Sequence, residues 1–167
     1  GVNAQKQGYL RTADLLRSLP ALEKAKKDLE TYAKPFEDAF NTMKKDYETK
    51  GAAFERDKKT LSEAVLEVKY GELMDLQNRI TKYGSDTEEK LQKKESELML
   101  PIYQSIDKAV REYGAANGYD YIYNAEALLF AKDSDDLTNA LITKMGGKIA
   151  PKTATGTSSA PAPKPAA

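Results

Sequence analysis

The chain has no cysteine, no histidine and no tryptophan. Without cysteine there can be no disulfide, no thiolate chemistry and no zinc–thiolate site. Without histidine the usual general base and the commonest metal ligand are both missing. Net charge is absent too, since 26 basic residues balance 26 acidic ones. Strong non-specific attraction to nucleic acid is therefore not expected, and contact with a membrane surface is expected to be weak at most. No apolar run is long enough to span a bilayer. Aromatic residues are only 8% of the 167, whereas charged residues are 31%. That profile is poor for a thick core and typical of long exposed helices. The length leaves room for one ordinary domain, or for a small body with an extended appendage.

What is present falls into four regions. Residues 1–19 hold a short strand candidate, Gly8 to Leu10, and a brief helix, ADLLRSL. From Pro20 to about Asn117 the composition is helical almost throughout. Residues 118–147 carry two more strand candidates, YDYIY (Tyr119 to Tyr123) and ALLFA (Ala127 to Ala131), and a closing helix in DDLTNALITKMGG. Asn124-Ala125-Glu126 is short enough to join those two strands as antiparallel neighbours. From Lys148 the chain is rich in Pro, Ala, Ser and Thr without apolar period, and residues 148–167 are expected to be disordered. At the other end, Val2-Asn3-Ala4 before Gln5 places small residues as a signal peptidase requires, the edge of an exported, processed protein; Gly1 fits an expression scar equally.

The long middle region carries the strongest pattern. Ser18 is a candidate cap, and Pro20 suits a first helical turn, where a missing N–H costs nothing. Leu22, Leu29, Phe36 and Met43 recur every seven residues. Ala33, Phe40, Tyr47, Phe54 and Leu61 form a second row at the same interval. Sustained seven-residue spacing is the mark of a coiled coil. The first row stops at Lys50 and Asp57, so the stripe narrows away from its start. A returning seam follows through Leu66, Leu73, Leu76, Ile80 and Tyr83, thins at Leu91 and Leu98, and thickens at Ile102, Ile106, Ala109, Val110 and Tyr113. Thr60 or Ser62 can cap the returning helix. The reversal is placed near residues 60–68, giving limbs of about 40 residues, roughly 60 Å each.

Pro35 and Pro101 interrupt the limbs. Each removes a helical hydrogen bond and crowds the carbonyl four residues earlier. The apolar spacing resumes in phase after each, which favours kinks over helix ends. Gly51, Gly71 and Gly84 soften the limbs further, at about 1 kcal/mol each relative to Ala. The expected fold is α+β: a long antiparallel helical hairpin, residues 20–101, projecting from a small β-rich body made of residues 6–19 and 102–147. That body is marginal alone, so self-association is expected.

No catalytic constellation is found. Carboxylates alternate with lysines at helical spacing, the arrangement of surface ion pairs. Asp133, Asp135 and Asp136 resemble the start of a calcium loop, but the sixth-position glycine and twelfth-position glutamate are missing. An acidic helix N-terminus accounts for them better. Gly146-Gly147-Lys148 follows a helix and reads as its C-cap, not as a phosphate loop. Tyr119, Tyr121 and Tyr123 alternate, and packing on a helix or a second subunit is favoured over a ligand platform. No cofactor, metal or enzymatic activity is expected.

GYLRTADLLRSLPALEKAKKDLETYAK, LQKKESELMLPIYQSIDKAVREYGAANGYDYIYNAEALLFA and the following DDLT together resemble the Skp (OmpH-like) periplasmic chaperones. The resemblance spans roughly residues 6–145. It implies a homotrimer in the periplasm, with strands from three subunits forming a body and three hairpins surrounding a cavity. It implies an ATP-independent holdase for unfolded outer-membrane β-barrel proteins. Phe36, Phe40, Met43, Tyr47, Phe54, Leu73, Met74 and Tyr83 become candidate client contacts, although each also reads as filler of the hairpin seam. Pro35 and Pro101 become candidate arm hinges. Two features depart from the best-known relatives, which are strongly basic and lack a proline like Pro35; electrostatic capture of lipopolysaccharide or anionic lipid is not implied here. The alternative reading is a structural trimeric spacer or adaptor gripping a folded partner. A prefoldin-like holdase is disfavoured, because there the strands lie between the helices and here they flank them.

Overall fold

The computed structural model describes residues 4–151. The candidate processing edge at Val2-Asn3 and most of the tail expected to be disordered, residues 152–167, lie outside that range. Within it the order is strand β1 (Gln7–Leu10), helix α1 (Thr12–Ser18), helix α2 (Pro20–Asp57), helix α3 (Glu63–Ala116), strand β2 (Tyr121–Asn124) and helix α4 (Thr138–Lys144). The α+β architecture is the expected one.

Helices α2 and α3 are the two limbs. With 38 and 54 residues, they extend about 57 Å and about 81 Å at 1.5 Å per residue. Every seam residue on α3 and every heptad residue on α2 is buried or half-buried, from Leu22 out to Phe54 and back from Leu66 to Tyr113. The chain reverses through residues 58–62. Ser62 caps the returning limb, its side-chain oxygen accepting from the Val65 N–H. Both helices run without a break through their prolines. Pro20 opens α2 as its spacing requires, but Ser18 does not cap it. Leu19 is the extended junction there, while Ser18 Oγ donates to the Leu15 carbonyl 2.6 Å away and closes α1 instead.

The sheet differs from the expected one. β1 and β2 pair in parallel, with Gly8 opposite Ile122 and Tyr9 opposite Tyr123. A parallel pair needs a crossover connection, and the whole hairpin supplies it by leaving and re-entering the body at the same end. No strand forms at Ala127 to Ala131. Asn124 Oδ1 accepts from the Glu126 N–H, and residues 125–127 wind into a 3₁₀ turn. That turn steers the chain away from β2, so the antiparallel neighbour is lost. The other edge of β1 meets the segment before α4, where the Leu137 N–H donates to the Tyr9 carbonyl.

One core lies beneath this sheet. Leu10, Leu15, Leu19, Leu137, Leu141 and Ile142 come from the chain ends and meet Ala25, Ile102, Ile106 and Ala109 from the root of the hairpin. Leu15 and Leu141 are fully buried. Both helix exits into the body are glycine-capped. Gly118 has φ +70°, and the Tyr119 N–H reaches back to the Gly114 carbonyl at 2.9 Å. Gly146 has φ +75°, with the Gly147 N–H on the Ile142 carbonyl. Both are Schellman closures, in which only a glycine enters the left-handed region without penalty.

Candidate binding surfaces

Two polar clamps position the surfaces. Lys6 joins β1 to the end of α3: its backbone N–H donates to Asp120, and its ammonium donates to the Asn117 carbonyl at 2.7 Å. The same ammonium lies 4.3 Å from the centre of the Tyr119 ring, which in turn stacks on Tyr113. Arg11 joins β1 to α4, donating from Nε to Asp136 at 2.9 Å. Asp136 also accepts from the Thr138 N–H and hydroxyl. Burial pushes the Asp136 carboxyl up, but the hydrogen bonds from Thr138 and Arg11 outweigh it and hold the group below its ordinary range. The acidic run is thus the lead-in to α4. Among the described residues no cluster of carboxylates is arranged to hold a metal ion, and none of the described helices is long and apolar enough to cross a membrane.

The candidate client contacts divide by this geometry. Phe36, Phe40, Met43, Tyr47, Phe54, Leu73 and Tyr83 are half-buried along the seam, and Met74 is exposed. Their cover is thin. Lys90 lies over the Phe36 ring at 5.4 Å and Lys44 over Phe40 at 5.8 Å, while Lys94 covers Tyr32. A lysine stem over an exposed ring contributes about 0.5–1 kcal/mol and moves easily. The two prolines lie on exposed faces, and Pro101 lines a shallow apolar groove with Leu19, Pro20, Ala21, Ile102 and Met145.

Sequence reasoning missed the apolar residues that stand out of phase with the seam. Val65, Val68 and Tyr70 are exposed near the reversal, and Leu100 and Tyr103 are exposed near the root. Their signal was present: each falls outside the rows through Leu66–Leu73 and Leu98–Ile102. On the body, Tyr121 and Tyr123 stack on each other at 6.0 Å and face outward, whereas Tyr119 turns in against α3. Leu129 is fully exposed and Phe130 is 85% exposed. Two neighbouring large apolar side chains are thus left bare on the body.

The described residues form a small body around a two-stranded parallel sheet, from which a long two-helix arm projects. The family model for outer membrane protein (OmpH-like) matches residues 6–145, and the chain belongs to that family. Similar proteins include the chaperone protein Skp of Vibrio cholerae, 22% identical over 139 residues, which are 83% of this chain and 82% of the relative. The chaperone protein Skp of Yersinia enterocolitica is 24% identical over 137 residues, covering 82% and 84%. A solved OmpH-like structure from Caulobacter crescentus superposes with a TM-score of 0.73 at 15% identity, over 87% of this chain and 86% of the other. The relatives carry the name of chaperones, not of enzymes.

Proposed function

We propose that this protein is an ATP-independent holdase of the periplasm, acting as a homotrimer whose three hairpins enclose unfolded outer-membrane proteins. The observation that carries the reading is the combination of a body that leaves Leu129 and Phe130 uncovered with arms far longer than any core they bury. Covering the first by self-association gathers the second around a common space. In this reading residues 6–19 and 102–147 form the trimerising body and residues 20–101 the arm. Pro35 and Pro101 are bends in the arm.

Phe36, Phe40, Met43, Tyr47, Phe54, Leu73, Met74 and Tyr83 supply apolar contact without directional demand, which suits a binder of many different unfolded chains. Family membership and the chaperone relatives support the client class. The test dilutes a urea-unfolded β-barrel protein into buffer containing the purified protein and no nucleotide. Light scattering should be suppressed at about one trimer per client. Unchanged aggregation would overturn the proposal. A protein that ignores unfolded chains yet binds one folded partner would instead be the spacer or adaptor.

A further inference from the structure

The described glycines sort by the reason each position has for lacking a side chain. Gly118 and Gly146 have positive φ. A Cβ on Gly8, Gly114 or Gly147 would come within 2.6 Å of Leu137, 3.2 Å of Ile122 or 2.7 Å of the Ser18 carbonyl, and one on Gly84 would make an ordinary contact with the Phe40 ring at 3.5 Å. Gly51 and Gly71 have neither reason. Both sit inside helices without a positive φ, and beyond the helix's own neighbouring backbone no atom lies within 4 Å of where a Cβ would stand.

These two glycines also share a level of the arm. Phe40 faces Gly84, and Phe54 faces Tyr70 with rings 6.4 Å apart. Each limb advances by the same number of residues between those pairs, so the register is constant along this stretch. It places Gly51 opposite Leu73, two residues from Gly71, an offset of about 3 Å along the axis. At one height, therefore, both limbs carry the ordinary residue least able to hold a helix.

We propose that Gly51 and Gly71 form a single hinge across both limbs, about which residues 52–70 swing as a distal unit. That unit contains the reversal and carries the exposed Val65, Val68 and Tyr70, so the hinge moves an apolar load independently of the rest of the arm. The inference concerns the arm alone and is tested with no client present, so it stands or falls apart from the holdase reading.

The test is amide hydrogen exchange on the full chain with Gly51→Ala, Gly71→Ala and the double variant. Open space at both positions lets all three fold. If the limbs open together, either single substitution slows exchange about fivefold around both glycines, the factor expected from the Ala–Gly propensity difference. The double variant slows both sites about 25-fold. Amides near Gly84 and in the body keep their rates. Slowing confined to the substituted limb, uniform slowing along the whole arm, or no change would each overturn the shared hinge.

Discussion

Replacing Leu129 and Phe130 by serine removes the apolar pair that the isolated chain leaves bare. Leu129 is fully exposed and Phe130 85% exposed, so neither contributes to the core of its own chain. Serine in their place should leave the monomer fold intact. Burial of a large apolar side chain is worth about 1.5–3 kcal/mol, so complete burial of both would contribute about 4 kcal/mol per protomer. A trimer counts that contribution three times, about 12 kcal/mol in all, which corresponds to more than a millionfold in the association constant. Sedimentation velocity at micromolar concentration should therefore show a trimer for the parent chain and a monomer for the Leu129→Ser/Phe130→Ser variant, with helical circular dichroism preserved. Two results refute the reasoning: a parent chain that sediments as a monomer, or a variant that remains trimeric. Loss of helicity in the variant would place the two residues in the monomer's own fold, against the geometry.

Three further outcomes follow from local structure. Asp136 has its folded pKa held below the unfolded value, so its contribution is present above the ordinary carboxylate pKa and is lost as pH falls through the depressed one. Acid unfolding of the body should be less steep below about pH 4 in Asp136→Asn, followed by near-ultraviolet circular dichroism; an unchanged acid limb would remove the Arg11–Asp136 clamp from the account. Pro35→Ala restores an N–H for the Thr31 carbonyl at an exposed position within a continuous helix. It should stabilise the arm by about 1–3 kcal/mol, read as a rise in thermal midpoint, and no rise would mean that the proline costs the helix nothing. Gly147→Ala sets a Cβ 2.7 Å from the Ser18 carbonyl, a backbone atom that cannot rotate away. The α1–α4 contact should weaken by about 1–3 kcal/mol, measured by urea denaturation.

The arm was legible because a seven-residue repeat is a local signal that no tertiary choice overrides once two helices meet. Leu22 to Phe54 and Leu66 to Tyr113 line the seam as their spacing demands. Two caps were legible for the same reason, since Gly146 and Ser62 act within one turn of themselves, whereas Ser18 closes α1 and does not cap α2. The sheet was not. Tyr119 to Tyr123 and Ala127 to Ala131 have strand composition and a short link, which locally favours a hairpin. The partner is decided by residues more than a hundred positions away, where Lys6 fastens β1 against the end of α3 and Ile122 packs over Gly114. Burial of Ile122 fixes which face of β2 turns inward. Tyr121 and Tyr123 then face outward, and the 3₁₀ turn takes the chain out of strand pairing and leaves Leu129 and Phe130 exposed. The apolar surface of the arm was half legible, since the in-phase aromatics of the seam follow from their spacing and the exposed, out-of-phase Val68, Tyr70, Leu100 and Tyr103 do not.

Charge bears on how the arms would capture a client. Lys24–Asp28, Lys34–Asp38, Asp46–Lys50, Lys82–Asp86 and Asp107–Arg111 are all four-residue pairs within one limb. None of the described ion pairs bridges the two limbs; Arg11–Asp136 and Glu112–Lys144 tie body elements instead. Such exposed pairs add little to stability, but they cancel each other within a few ångströms, and the whole chain has no net charge. A surface neutralised on that scale casts no long-range field to steer a charged partner. On the holdase reading, attraction then comes from apolar contact at the seam and the out-of-phase residues, which added salt strengthens slightly or leaves alone. Affinity for an unfolded β-barrel protein should therefore change less than about threefold between roughly 0.05 and 0.5 M NaCl, where the Debye length falls from about 14 to about 4 Å. Fluorescence titration of a labelled client at the two salt concentrations measures this. A tenfold or greater loss at high salt would mean that local charge, and not the apolar seam, holds the client.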